Sequence, residues 1–174
     1  MKNDILKHLK KEHDEVNALL KEAEVCAEKD RTDILEQIER NLIPHARGEE
    51  KTLYSLMRKR AQNQDKEESL DLSNEAYEEH RVVDKLLSEL KNLDTSSEQW
   101  LAHLKVFKEN IEHHVEEEET ELFDKAKNLV TDKERDELLG VYLDEKERFS
   151  ESLPPQSQIK ERVPAPSVSV VRNV

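Results

Sequence analysis

The sequence predicts an all-α fold: a bundle of four long helices, an additional C-terminal helix and a disordered tail. Three observations carry this. Only two glycines interrupt 174 residues, and four of the five prolines fall after residue 150. Apolar residues recur at steps of three and four, the spacing of one face of an α-helix. Charged residues make up 40% of the chain against 34% hydrophobic, so each helix has only a narrow apolar stripe between solvated faces. The length suits one domain, placed at residues 1–150, followed by a tail at 151–174.

The elements follow in order. Residues 2–28 carry Ile5, Leu9, Val16, Leu20 and Ala23 on one line, with His13 among them. Residues 31–62 run Ile34, Ile38, Leu42, Leu53 and Leu56, and His45 and Glu49 fill the gap in that stripe. Pro44 removes a backbone donor and is expected to kink this helix just before the histidine. After a polar stretch, "AQNQDKEES", a third helix at 72–93 offers Ala76, Val83, Leu87 and Leu90 with His80 between. A capping box, Thr95 with Glu98, is expected to open the fourth helix. Its stripe is Trp100, Leu104, Phe107, Ile111, His114, Glu118 and Leu122. A second box, Thr131 with Glu134, starts a fifth helix ending near Ser150 that packs across or beside the others. The remainder, "PPQSQIKERVPAPSVSVVRNV", is rich in proline and serine and cannot bury enough surface to fold alone. The alternative reading of this tail is a docking peptide for a protein partner of unknown identity.

Charge and composition exclude several functions. A net charge of -13 repels phosphate backbones and anionic membrane surfaces, and no basic stripe with interleaved aromatics exists, so neither nucleic acid nor membrane is expected as a partner. No apolar run approaches the roughly 18 residues of a membrane span, and "MKNDILKHLKKEHDEV" is too charged for the core of a secretion signal. A cytoplasmic monomer is expected. The lone Cys26 cannot close an intrachain disulfide and is read as a small packing residue.

The chain contains a repeat. "EHDEVNALLKE" at 12–22 matches "EHRVVDKLLSE" at 79–89, and "HARGEEKTLY" at 45–54 matches "HVEEEETELF" at 114–123. Each half is a helical hairpin with one histidine on its first helix and a His/Glu pair on its second. The HxxxE spacing alone says little, because five of the seven histidines have an acidic residue four places later. His45/Glu49 and His114/Glu118 differ in phase: both members replace core residues, one turn apart on the same face. An unpaired buried carboxylate costs several kcal/mol, and two close together repel. Histidine–glutamate hydrogen bonds that lock helix register would explain one such pair. Six donors in a repeated arrangement call for a cation: His13, His45, Glu49, His80, His114 and Glu118.

Nitrogen and oxygen donors without cysteine suit iron, manganese or zinc, and two carboxylates able to bridge suit a pair of ions. The Glu-x-x-His motif of ferritin-type di-iron bundles is absent. The order His13, His45 with Glu49, His80, His114 with Glu118, together with the doubled HxxxEExxL[YF], resembles the hemerythrin-like, or HHE cation-binding, family over about residues 4–127. That resemblance implies an up-down-up-down four-helix bundle around a non-haem di-iron centre. It makes His13, His45, His80 and His114 terminal ligands, and Glu49 and Glu118 bridges. Oxygen-carrying members use five histidines, with HxxxH on the third helix. Here Asp84 follows His80 by four, so either Asp84 is an additional ligand or one iron keeps an open position.

Neighbouring residues receive plainer readings. His113 is a flanking group, and His8 and His103 are off the stripe and solvated. Glu50 and Glu119 either orient histidines or are surface residues. Gly48 either opens space for a small ligand or relieves crowding near Pro44. Tyr54 and Phe123 pack over the cluster. The function expected is binding of dioxygen, nitric oxide or peroxide at two iron ions in sensing, storage or oxidative-stress response. The alternatives are a peroxide- or superoxide-consuming enzyme and a metal-independent helical scaffold; no further acid/base constellation separates binding from turnover.

Overall fold

A computed structural model describes residues 4–64 and 66–154. The expected disordered tail, apart from its first four residues, lies outside the described residues. Helix α1, Ile5–Val25, starts where Asp4 Oδ1 accepts from the Leu6 amide at 2.9 Å. A short 3₁₀ turn, Glu28–Asp30, leads into α2, Arg31–Glu49. A π-helical turn, Glu50–Tyr54, joins α2 to α3, Ser55–Asn63, as one continuous rod. Helix α4, Glu67–Asn92, is followed by α5, Glu98–Glu117. A second π turn, Glu118–Leu122, connects α5 to α6, Phe123–Leu129, and α7 runs Asp132–Ser152. There is no strand among the described residues.

Contacts join α1 to α2, α4 to α5, α1 to α5 and α2 to α4, while α7 lies against α2 and α1. No helix of the described residues is long and apolar enough to cross a membrane.

Several expectations shift in detail. Helix α4 begins five residues before the expected 72, because Ser69 and Ser73 occupy its inward line. Ser73 Oγ satisfies itself by donating to the Ser69 carbonyl at 2.8 Å, so polar residues hide the stripe there. The Thr95 capping box does not form. Asp94 instead organises a turn, with its carbonyl accepting from the Ser97 amide at 3.0 Å, and Ser97 Oγ caps α5 by accepting from Trp100 N at 3.1 Å. The Thr131 box forms in both directions, at 2.9 and 3.4 Å.

Pro44 is buried inside α2, which continues α-helical through it. The departure from α geometry comes later, at the π turn. A π turn adds a residue to one turn and so advances the phase of everything after it. Leu53, Tyr54, Met57 and Ala61 are consequently buried, while Leu56, expected on the stripe, is only half-buried. Both π turns contain a threonine whose hydroxyl donates to the carbonyl four residues back: Thr52 to Gly48 and Thr120 to Glu116, each at 2.6 Å.

The core is split in two. One apolar cluster holds Ile5, Leu9, Leu53, Met57 and Phe123, with Leu139 and Tyr142 of α7; the other holds Val16, Leu20, Ile38, Leu87, Trp100 and Phe107. On every rod a polar layer separates them. Leu9 and Val16 flank His13, Leu42 and Leu53 flank His45 and Glu49, Ala76 and Val83 flank His80, and Ile111 and Leu122 flank His114 and Glu118.

Candidate metal centre

All six histidines and glutamates of that layer are buried, with Glu49 fully so and Glu118 at 2% exposure. Their ligand atoms form two groups, His13/His45/Glu49/Glu118 and Glu49/His80/His114, each within 4.8 Å. Glu49 belongs to both. Its Oε1 lies 3.1 Å from His45 Nε2 and 3.9 Å from His13 Nε2, and its Oε2 lies 3.5 Å from His80 Nε2. Glu118 Oε2 lies 3.1 Å from His13 Nε2 and 4.0 Å from His114 Nε2. His80 and His114 meet through their Nε2 atoms at 3.1 Å.

Four buried atoms at the centre, His13 Nε2, both oxygens of Glu49 and Glu118 Oε2, face one another without a hydrogen bond. Buried polar atoms left without a hydrogen bond are costly in a low-dielectric interior. Cations held by the two groups would satisfy them, and the donor set fits metal cations.

Each imidazole aims Nε2 inward because a carboxylate holds its Nδ1. Glu12 takes His45 at 2.8 Å and Glu79 takes His114 at 2.8 Å. Glu119 takes His13 at 3.0 Å and Glu50 takes His80 at 3.0 Å. Within each half, the glutamate preceding the first histidine serves the second; the glutamate after the buried carboxylate serves the first histidine of the other half. A carboxylate on Nδ1 fixes the tautomer that leaves Nε2 free to ligate. Glu50 and Glu119 were among the sequence candidates for this role. Glu12 and Glu79 were not, although "EH" opens both copies of the repeat and was the signal available.

The aromatic residues also correspond. Tyr54 stacks on His80 at 5.6 Å and Phe123 on His13 at 6.2 Å. They differ in one hydroxyl: Tyr54 donates to Glu118 Oε1 at 2.9 Å, leaving Glu118 a single free oxygen where Glu49 has two.

Helix α7 contributes more than cover. The Tyr142 hydroxyl bonds Glu12 Oε2 and lies 3.0 Å from His45 Nδ1, and Lys146 Nζ reaches Glu12 Oε1 at 2.5 Å. Gly48 makes this approach feasible, since a Cβ there would stand 2.6 Å from Tyr142 Cε2. Its purpose is thus room for a tyrosine ring, in place of either reading made from sequence. The sequence offered no signal for Tyr142.

Electrostatics follow from the packing. Burial works against a charged His45, but Glu49 and Glu12 outweigh it and pull its pKa up to about 9. Burial likewise opposes charge on His13 and His114, and their glutamate partners raise both. For Glu49, burial favours the neutral acid, yet His45, His13 and His80 hold its carboxyl well below the usual range. Glu12 is held low against burial by His45, Lys146 and Tyr142.

The other candidates fall outside the centre. Asp84 pairs with Arg47, which also holds Glu50 at 2.6 Å, and it joins neither ligand group. His8 is half-buried, 2.9 Å from Glu12, and His103 is half-buried with its ring 3.1 Å from the Leu86 carbonyl, so neither is simply solvated. His113 is 63% exposed and lies 3.3 Å from Glu117.

Fold and site together define an all-helical protein with a buried histidine–carboxylate cluster suited to cations. A family model described as the hemerythrin HHE cation binding domain matches residues 4–126, and the chain belongs to that family. No curated protein and no solved structure gives a match.

Proposed function

We propose that this chain is a non-haem di-iron protein that binds dioxygen or a related small molecule, nitric oxide or peroxide, in cytoplasmic sensing, storage or oxidative-stress response. In this reading the four rods form an up-down-up-down bundle. His13, His45, Glu49 and Glu118 hold one iron, His80 and His114 hold the other, and Glu49 is shared. Iron supplies electrons and a coordination position for the small molecule.

The observation that carries the reading is the pair of ligand groups sharing Glu49, with orphaned buried atoms at their centre. A second feature supports the choice of ligand. Beside the four histidines lies a pocket lined by Val16, Leu42, Val83 and Ile111, each three residues from a histidine on its own helix, with Asp84 on its wall. Its interior has room for roughly one water-sized molecule. A mainly aliphatic space of that size suits a diatomic. The aliphatic layer keeps water away, and the carboxylates on Nδ1 keep the imidazoles aimed.

Anaerobic loading of metal-free protein with ferrous iron tests this. Two irons per chain are expected, with a new near-ultraviolet absorption band on admission of air. Fewer than one iron per chain, or an unchanged spectrum, would refute it.

A further inference from the structure

We infer that α7 is a clamp on one ligand of the centre: Tyr142 and Lys146 fix the Glu12 carboxylate and, through it, the His45 imidazole. Helix α7 thereby sets how firmly the group His13, His45, Glu49 and Glu118 keeps its ion. The inference rests on the metal-binding reading of the buried cluster.

Both oxygens of Glu12 are engaged. Oε2 accepts from the Tyr142 hydroxyl and lies 2.8 Å from His45 Nδ1. Oε1 accepts from Lys146 Nζ at 2.5 Å and lies 2.9 Å from His8 Nε2. The Tyr142 oxygen is itself 3.0 Å from His45 Nδ1. A carboxylate gripped at both oxygens cannot swing, so the proton on His45 Nδ1 keeps its acceptor and Nε2 keeps its lone pair for an ion. That Nε2 stays turned toward Glu49 Oε1, 3.1 Å away. The Tyr142 side chain is fully buried with its ring seated on Gly48, and among the described residues its hydroxyl meets only Glu12 and His45. Apolar packing accounts for the ring. It does not account for a buried hydroxyl, which is costly without a partner.

The other half of the repeat supplies the contrast. Glu79 stands where Glu12 does and lies 2.8 Å from His114 Nδ1, but its second oxygen has only the exposed His113, 3.9 Å away. No lysine, arginine or tyrosine pairs with Glu79 among the described residues. One imidazole of the centre is thus held from outside, and its counterpart is not. Helix α7, Asp132–Ser152, also lies wholly beyond the residues 4–126 that the family model matches, so the clamp comes from outside the matched domain.

Proton magnetic resonance of the full chain loaded with cobalt(II) tests this, because a cobalt-bound imidazole gives an exchangeable, hyperfine-shifted signal from its Nδ1 proton. Tyr142→Phe keeps the ring and removes the hydroxyl; Lys146→Met keeps the stem and removes the cation. In both, the His45 signal, assigned as the one lost in His45→Gln, is expected to exchange with solvent faster, while the His114 signal holds. Competition with a chelator should show the cobalt of the His45 group bound roughly tenfold more weakly in Tyr142→Phe, the low end of what losing an outer partner of a ligating histidine costs. Variants identical to wild type overturn the clamp alone. So do equal changes at His45 and His114, which would reduce α7 to packing. Wild type that takes up no cobalt removes the buried centre and the clamp together.

Discussion

Tyr54 and Phe123 occupy equivalent places in the two halves, and the hydroxyl that only the tyrosine carries donates to Glu118 Oε1 at 2.9 Å. The buried carboxylates are therefore not interchangeable: Glu49 faces both ligand groups, and Glu118 faces one. Tyr54→Phe should leave a buried carboxylate oxygen unsatisfied and lower the stability of the metal-free protein by about 1.5–3 kcal/mol, the usual worth of a hydrogen bond to a charged group. Urea denaturation monitored by circular dichroism checks this, and an unchanged midpoint would mean the hydroxyl is idle. Iron counts on substituted protein probe the asymmetry directly. On the proposed two-iron reading, Glu49→Gln is expected to lose both irons, whereas Glu118→Gln should retain the one assigned to His80 and His114. Equal losses would show that the two carboxylates share both ions.

At the level of elements, α7 shapes the site without contributing a buried ligand, and the second π turn opens on one, Glu118. Gly48→Ala forces a Cβ to 2.6 Å from the Tyr142 ring. Overpacking costs about 1–3 kcal/mol, more than the roughly 1 kcal/mol of helix propensity that alanine gains. The expected outcome is a lower thermal midpoint; a higher one would mean that α7 yields freely. The helices themselves were legible because apolar periodicity is a local signal, and His13, His45, Glu49, His80, His114 and Glu118 were legible because they interrupt it in phase. The π turns were not. A change from i→i+4 to i→i+5 pairing leaves no mark in the order of residues, and only the burial of Met57 in place of Leu56 reveals it. Glu12 and Glu79 escaped notice because they sit one residue off the stripe, where an acidic side chain in so acidic a chain looks like surface. Tyr142 escaped because its role depends on how α7 lies against α2, a tertiary relation with no local signature.

Across the whole molecule, the histidines set the response to pH. His45 has its folded pKa raised from 6.5 to about 9. Its contribution to metal-free stability is fully present below 6.5 and is lost as pH rises through about 9. Glu49 is depressed from 4.5, so its contribution is present above 4.5 and fades as pH falls through its lowered value. Metal-free protein should accordingly lose thermal stability between pH 6.5 and 9, as followed by melting curves, while iron-loaded protein should not. Because ligation requires neutral imidazole, ion uptake at pH 7 should also release protons, and affinity should fall on acidification. Calorimetry in buffers of differing ionisation enthalpy would detect the release, and an enthalpy independent of buffer would contradict it. The crossed anchoring of the imidazoles carries a last consequence. His13 depends on Glu119 and His80 on Glu50, so a polypeptide of half this length leaves its leading imidazole unmoored. Such a fragment completes the arrangement only by embracing a second hairpin, and severed halves would find each other through borrowed carboxylates as much as through greasy surface.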